Sequence, residues 1–409
     1  MRQRAGPARS LLLAALLLLP FCARAAASVT VAIWASSPGE VAAFDQASAA
    51  FTRQTGIVVH KQVIEDRYMD VLKSRFAADN PPDVFYLDAL DAPVLIESGV
   101  LESFDGKVDA PADFYPRFLD AFRGTDGKLY GLPKDYSTLA LYLNPALLKQ
   151  AGFAVADVPR DFDALMRFAR TLQPRLPKGT AAMLIEKDLA RHLAALETAG
   201  TPIIDANGDA RLVSNPKVYD YLNALVAGHA QHYLASSKDD LGADWGGAAF
   251  GAQKAAMMVE GNWVLATLKK DYANVQFLAR EMPTVNQRRQ TMAFVVSYAV
   301  PRKAKHREAG FQFARFMTGT GMRLWASESG TLPSRRSVEE AMQVSKLPEL
   351  RAHVLGAAYA TVWSRGTSLP IVDTNFSNQF GAAFNGSKSL AQALQTAETV
   401  SNREIARQK

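Results

Sequence analysis

Val29-Thr30-Val31-Ala32-Ile33-Trp34 is the stretch on which the fold turns. Val29, Val31 and Ile33 alternate with Thr30 and Ala32, the period of two expected of a strand. Ser36-Ser37-Pro38-Gly39 then breaks the run, and Val41, Phe44, Ala47 and Phe51 recur at helical spacing until Gly56 offers a left-handed stop. Ile57 to Val59 restarts a strand, and Tyr68, Val71, Leu72 and Phe76 form a second helical stripe. Pro81-Pro82 leads into the short apolar run Val84 to Leu87, which ends at Asp88. Strand, helix, strand, helix, strand in that order predicts an α/β sheet covered by helices.

Upstream of this stretch the chain reads as an address. Arg2, Arg4 and Arg9 stand in a segment without acids, Leu11 to Leu19 is almost purely apolar, and Ala23-Arg24-Ala25 and Ala25-Ala26-Ala27 are small-x-small cleavage patterns. Residues 1–27 are therefore expected to be a secretory signal peptide, cleaved near 25–27 on export to the periplasm. The apolar stretch is too short to span a bilayer comfortably. Cys22 is the only cysteine, and the bulky Phe21 before it argues against a lipid anchor there, so the mature chain is expected to carry no thiol.

Loss of the four leader arginines lowers the formal charge from +6 to +2. With acids and bases interspersed through the rest, no basic stripe suits a phosphate backbone, and nucleic acid is excluded as a partner. The remaining length exceeds what one core usually serves, so two domains are expected. No long Gly/Ser or Pro/Gln tract separates them, which implies short, ordered crossings.

In open α/β sheets, ligands meet the loops beyond the carboxyl ends of strands. Trp34, Ser37 and Asp88 occupy such places. Gly131-Leu132-Pro133-Lys134-Asp135-Tyr136 is a turn followed by Leu139, Leu141 and Leu143, an extended pattern that stops at Asn144. Here the sequence resembles the family 1 extracellular solute-binding proteins of bacterial ABC importers, which include maltose and oligosaccharide binders. Thr30 to Trp34 with Phe51 to Ile57 is similar to that family's opening. Phe250 to Met258 followed by Glu260-Gly261-Asn262-Trp263 is similar to its central signature, and Gly330 to Arg335 to its late one.

The resemblance implies a two-lobe periplasmic-binding-protein fold of type II, with the ligand cleft between the lobes. The first lobe would comprise 28–136 and 290–337, and the second 138–286 and 338–409. It implies a first hinge near 134–139 and a second crossing after Met282-Pro283-Thr284-Val285. By motif, Trp34, Ser37 and Asp88 would line the first lobe's side, Ser137 the hinge, and Glu186 the second lobe's side. Glu260, Gly261 and Trp263 would close on the opposite face after a helical segment over Phe250 to Met258. Trp363 to Asn375 would be a loop near the mouth, and Arg335 would reach the cleft. Ser137 stands where some maltose binders carry an acid, which counts against strict maltose specificity.

The same residues suit a carbohydrate chemically. A sugar presents an apolar C–H face that stacks on aromatic rings and a belt of hydroxyls that needs donors and acceptors at fixed angles. Trp34, Tyr136, Trp245, Trp263 and Trp363 can supply platforms; Asp88, Glu186, Glu260, Asn375 and Arg335 can supply polar contacts. Trp325 follows the stripe Phe313, Phe316, Met317 and reads as core.

The expected ligand is a neutral mono-, di- or oligosaccharide, with an α-glucoside favoured. The expected partner is an inner-membrane ABC permease, and the protein is expected to be a monomer without cofactor. A sugar sensor or a binder of glycerol phosphodiesters are the alternatives. An enzyme is the least favoured reading, because no Gly-x-Ser-x-Gly, His-Glu-x-x-His, Walker or dinucleotide fingerprint is present. The six histidines are scattered, and even His229 and His232, three apart, lack a third neighbour for a metal.

Overall fold

A computed structural model describes residues 27–34 and 38–408. The leader reading, Cys22 included, falls on 1–27 and so lies, but for Ala27, outside the described residues, as does Ser37.

Among the described residues eleven strands carry the fold: β1 Ser28–Ile33, β2 Val58–Val63, β3 Val84–Asp88, β4 Leu132–Leu143, β5 Ala181–Leu184, β6 Leu234–Ala235, β7 Ala255–Gly261, β8 Leu278–Arg280, β9 Met292–Ala299, β10 Leu332–Pro333 and β11 Thr361–Val362. The order β2-β1-β3-β9-β4 builds one lobe and β4-β7-β5-β6 the other. In the first, β1, β2 and β3 run parallel, joined by the helices Pro38–Thr55 and Tyr68–Ala77, so the opening pattern folds as its periodicity dictates. Val29, Val31, Phe44, Phe51 and Leu72 are all fully buried.

The two lobes share β4. Leu132 to Thr138 pairs with β9, whereas Leu139 to Leu143 pairs with β7 and β8, so the strand changes lobe between Thr138 and Leu139. Thr291 Oγ1, on the second crossing, donates to the Leu139 carbonyl at 2.8 Å. Asn262 bridges the same point: its Oδ1 accepts from the Thr138 N–H at 3.0 Å and its Nδ2 donates to the Gly330 carbonyl at 2.9 Å.

The helix Pro348–Ala357 lies astride this junction. Arg117 of the first lobe donates to the carbonyls of Ala357, Ala358 and Ala360 at its carboxyl end. At its other end Glu349 pairs with Lys269 of the second lobe. Between them the buried His353 donates from Nδ1 to the Thr138 carbonyl at 2.8 Å. A carbonyl only accepts, so Nε2 is the bare nitrogen and Tyr142 donates its hydroxyl to it at 2.8 Å. The helix Arg336–Ala341 stays with the first lobe, because Glu339 accepts from both Tyr115 and Tyr136.

The central signature departs from its expected type. Phe250 to Met258 reads as helical, but the helix Gly246–Gly251 stops there, Gln253 turns left-handed, and Ala255–Gly261 is β7. Alanine and methionine favour helices in isolation. All seven residues of β7 are buried between β4 and β5, where a continuous apolar run is what a strand covered on both faces requires.

Candidate functional site

The parallel strands β5, β6 and β7 end together on one rim of the second lobe, and the residues just beyond them enclose a cavity of about 430 Å³. Glu186 follows β5, Ser236 and Ser237 follow β6, and Glu260 lies at the end of β7. Trp245, Arg191, Asp188, Lys187, Lys238 and Asp239 also stand on its wall, with Ser377 and Asn378 from the helix Leu369–Phe384.

Glu260 is the most constrained of these groups. It is 1% exposed, and its Oε1 accepts from Arg191 Nη2 at 2.8 Å and from the Gly261 N–H at 2.9 Å. Burial raises its carboxyl above the ordinary value, and the Arg191 guanidinium pulls in the opposite direction. Arg191 also reaches Asp188 Oδ1 at 3.2 Å and stands 5.4 Å from the centre of the Trp263 ring. Although burial opposes it, the carboxylates of Asp188 and Glu260 hold that guanidinium above its usual range. One cation thus fixes two acids and a tryptophan.

Both tryptophans lie over glycines. A Cβ on Gly261 would come within 2.1 Å of the Trp263 ring, and one on Gly247 within 2.2 Å of the Trp245 ring. The indoles take these positions because no side chain occupies the space. Trp263 also meets Phe294 of β9 edge to face at 5.3 Å, which sets it at the junction of the lobes.

Below the rim, His192 is fully buried and donates from Nε2 to the Glu186 carbonyl at 2.9 Å, while Tyr221 donates to its Nδ1 at 3.2 Å. Burial lowers this imidazole to about 4, so it stays neutral and holds the backbone of residue 186 in place. Glu186 Oε1 is itself buried without a hydrogen-bond partner among the described residues. Burial pushes Asp373, one turn from Ser377, up to about 6, with Asp188 adding to the rise.

The first lobe offers the carboxyl ends of β1 and β3. Trp34 is half-buried, edge to face with Tyr68 at 4.8 Å and Tyr86 at 5.2 Å. Asp88 ends β3, and its Oδ1 accepts from the Leu90 N–H at 2.8 Å. Burial pushes its carboxyl up to about 7; the Leu90 N–H opposes the rise, and Asp91 and Asp135 add to it. Leu90 packs against the core of the second lobe, so this strand exit faces the other rim.

The structure thus gathers Glu186, Trp245 and Glu260 around one cavity with Gly261 and Trp263 beside it. Ser137 lies buried in β4, paired with Phe294 just before the change of lobe.

Four expected contacts go elsewhere. Tyr136 is fully buried and donates to Glu339 at 3.0 Å, so no face of its ring is open. Arg335 is 7% exposed; it donates to the carbonyls of Thr318, Ala110 and Asp109, and its guanidinium lies 4.1 Å from the Phe114 ring centre. Trp363 is 4% exposed in the second lobe's core. Asn375 sits on a helix rather than a loop and donates to Glu404 at 2.9 Å, tying that helix to Leu390–Ala406. Trp325 packs in the core as its spacing implies, donating to Asp135 at 2.7 Å.

Sequence reasoning missed Arg191, Asp188 and Ser377. Arg191 and Glu260 are 69 positions apart, and nothing in Asp188-Leu189-Ala190-Arg191 marks the pair locally.

Comparison with known proteins accords with this construction. The model of the bacterial extracellular solute-binding protein family matches residues 46–352, and the chain belongs to that family. A Brucella abortus (strain 2308) protein named only for binding is 24% identical over 329 residues, 76% of each chain. Among solved structures, an ABC substrate-binding protein from Listeria monocytogenes in complex with cycloalternan superposes with a TM-score of 0.83 at 19% identity, covering 93% of this chain and 99% of that one. An ABC transporter solute-binding protein from Thermotoga lettingae bound with α-D-tagatose gives a TM-score of 0.80 at 16% identity over 92% and 99%. At such identities these two matches establish the two-lobe fold.

Proposed function

We propose that this protein is the exported, periplasmic receptor of an ABC sugar importer. It binds a neutral di- or oligosaccharide between its lobes and presents the closed form to an inner-membrane permease. The observation that carries this reading is the second-lobe cavity: a buried, braced carboxylate at Glu260, a second at Glu186, and two indoles held beside them. Carboxylates accept from sugar hydroxyls while indole faces take the C–H surface of a pyranose.

The lobes act as 28–136 with 290–337 and 138–286 with 338–409, apart from the helix Arg336–Ala341, and turn about Thr138–Leu139. A ligand that bridges both rims stabilises the closed form by its differential affinity for that state. The protein works as a monomer, and an α-glucoside is the favoured ligand; the cycloalternan and tagatose of the two structural relatives support the sugar class without fixing the sugar.

A phosphodiester is disfavoured, because two of the cavity's three cations, Arg191 and Lys187, are already held by the carboxylates of Asp188, Glu260 and Asp239, which leaves only the exposed Lys238. Calorimetric titration of ligand-stripped protein with maltose, trehalose, sucrose, maltotriose, glucose and glycerol phosphodiesters tests the proposal. Saturable binding of a sugar without chemical turnover is expected. Turnover of an oligosaccharide, or binding of the phosphodiester alone, would overturn it.

A further inference from the structure

The opposite ends of β1 and β3 carry a second cavity, of about 250 Å³, that has no part in the cleft. It lies between the start of β3 and the helices Tyr68–Ala77 and Arg307–Met317, lined by Thr30, Gln62, Arg75, Asp83, Lys305 and His306. From Asp83 to Asp88 the strand rises about 16 Å, so a ligand here would not touch one in the cleft.

The charge state of this cavity is unlike that of the cleft. In the cleft cavity, Arg191 and Lys187 are paired with carboxylates and Asp188, Asp239, Glu186 and Glu260 line the wall, so the exposed Lys238 faces an excess of acids. Here, among the described residues, Arg75 donates to the Gln62 amide oxygen and Lys305 to the Asn80 amide oxygen at 3.2 Å, and neither has a carboxylate partner.

The one acid in the wall is committed elsewhere. Asp83 accepts from the Thr30 N–H at 2.9 Å, from the His306 N–H at 2.7 Å and from His306 Nδ1 at 3.1 Å. Three donors engage both oxygens of that carboxylate and clamp the loop between β9 and the following helix to β3, so its single charge is turned toward the backbone and is outnumbered by the two cations. Two permanent cations with neutral partners are left facing one half-open space, with Lys305 and His306 on its exposed side and the second imidazole nitrogen of His306 as a further polar group.

We propose that this pole of the first lobe is a binding site for a tetrahedral oxyanion, a phosphate or a phosphate ester, held by Arg75 and Lys305. A guanidinium and an ammonium on one small cavity supply the charge-assisted donors such a group requires, and their amide partners give way without leaving a buried charge unpaired. The phosphoryl group can come from solution or from an anionic phospholipid headgroup, since the chemistry recognised is the same.

The experiment titrates the mature protein at low ionic strength with inorganic phosphate, and in parallel measures its flotation with vesicles of phosphatidylglycerol against vesicles of phosphatidylcholine. Arg75→Gln and Lys305→Gln are each expected to weaken the interaction by about tenfold or more, the scale of losing one charge-assisted bond. Lys303→Gln serves as control: Lys303 is exposed, pairs with Asp79 and does not line the cavity, so binding is expected to survive its loss.

Phosphate binding with no vesicle capture identifies a soluble ligand. Capture by phosphatidylglycerol alone that depends on Arg75 and Lys305 identifies a headgroup. No binding in either arm, or binding that Lys303→Gln reduces as much as Arg75→Gln does, would overturn the site, the latter because it would show only diffuse attraction to a basic surface. None of these outcomes bears on the sugar reading, which the cleft titration tests separately.

Discussion

On the second lobe, Arg191 holds Glu260 and Asp188 and stands beside Trp263, so acids and indole are set before any ligand arrives. On the first lobe, Trp34 leans on Tyr68 and Tyr86, and Asp88 has one backbone N–H and no cation. One rim is braced by charge and the other by aromatic packing. On the proposed reading the difference gives them different work: the second rim would fix hydroxyl geometry at a hydrogen-bonded ion pair, while the first would close over the ligand with an acid whose charge depends on pH.

The largest effect is expected from breaking the brace. Arg191→Met leaves the buried Glu260 carboxylate unpaired, a change of the kind that costs about 3–5 kcal/mol. Chemical denaturation should show that loss, and the double variant Arg191→Met with Glu260→Gln should recover most of it without recovering ligand binding. A double variant that binds normally would show that the brace serves stability alone.

Next come two tryptophans that look equivalent in the sequence. Trp363→Ala empties a core position and should cost about 3–5 kcal/mol of stability. Trp263→Ala should leave the fold intact and weaken sugar binding by about tenfold or more. Equal losses of affinity from both, or none from Trp263→Ala, would erase the distinction between rim and core.

That distinction was only partly legible in the sequence. Val29 to Asp88 could be read because each strand alternates or runs apolar between breakers, and each helix keeps its stripe. Ala255 to Gly261 could not, because what makes it a strand is burial between β4 and β5, a property of its neighbours. The site divided in the same way. Motifs single out Glu186, Glu260 and Trp263, which the fold sets at or just beyond the ends of β5 and β7, whereas Tyr136, Arg335, Trp363 and Asn375 have the right chemistry but point into cores or across helices. Residue type alone cannot say which face of an element is covered.

Smaller effects follow from protons. Asp88 titrates near 7 in the folded protein and near 4 when unfolded, so the folded state holds the extra proton between those values. Its share of stability is present below about pH 4 and is lost as the pH rises to 7. Asp88→Asn should therefore raise the melting temperature at pH 8 and leave it nearly unchanged at pH 4.

His192 and His353 have the opposite sign. Burial holds each at about 4, below the unfolded value near 6.5, so their share is complete above about pH 6.5 and is lost as the pH falls toward 4. His353→Phe should flatten that acid limb, at some cost in the hydrogen bonds to Thr138 and Tyr142. Melting curves from pH 4 to 8 for the two variants check both signs.

The central claim is that two unlike rims close on one ligand about the Thr138–Leu139 junction. Small-angle X-ray scattering of stripped protein, before and after saturation with the sugar that the titration selects, tests it most directly. The account predicts a smaller radius of gyration on saturation, with the change abolished in Trp263→Ala at the same sugar concentration. Tight binding with an unchanged radius of gyration would contradict it, because the ligand would then be held by one lobe alone.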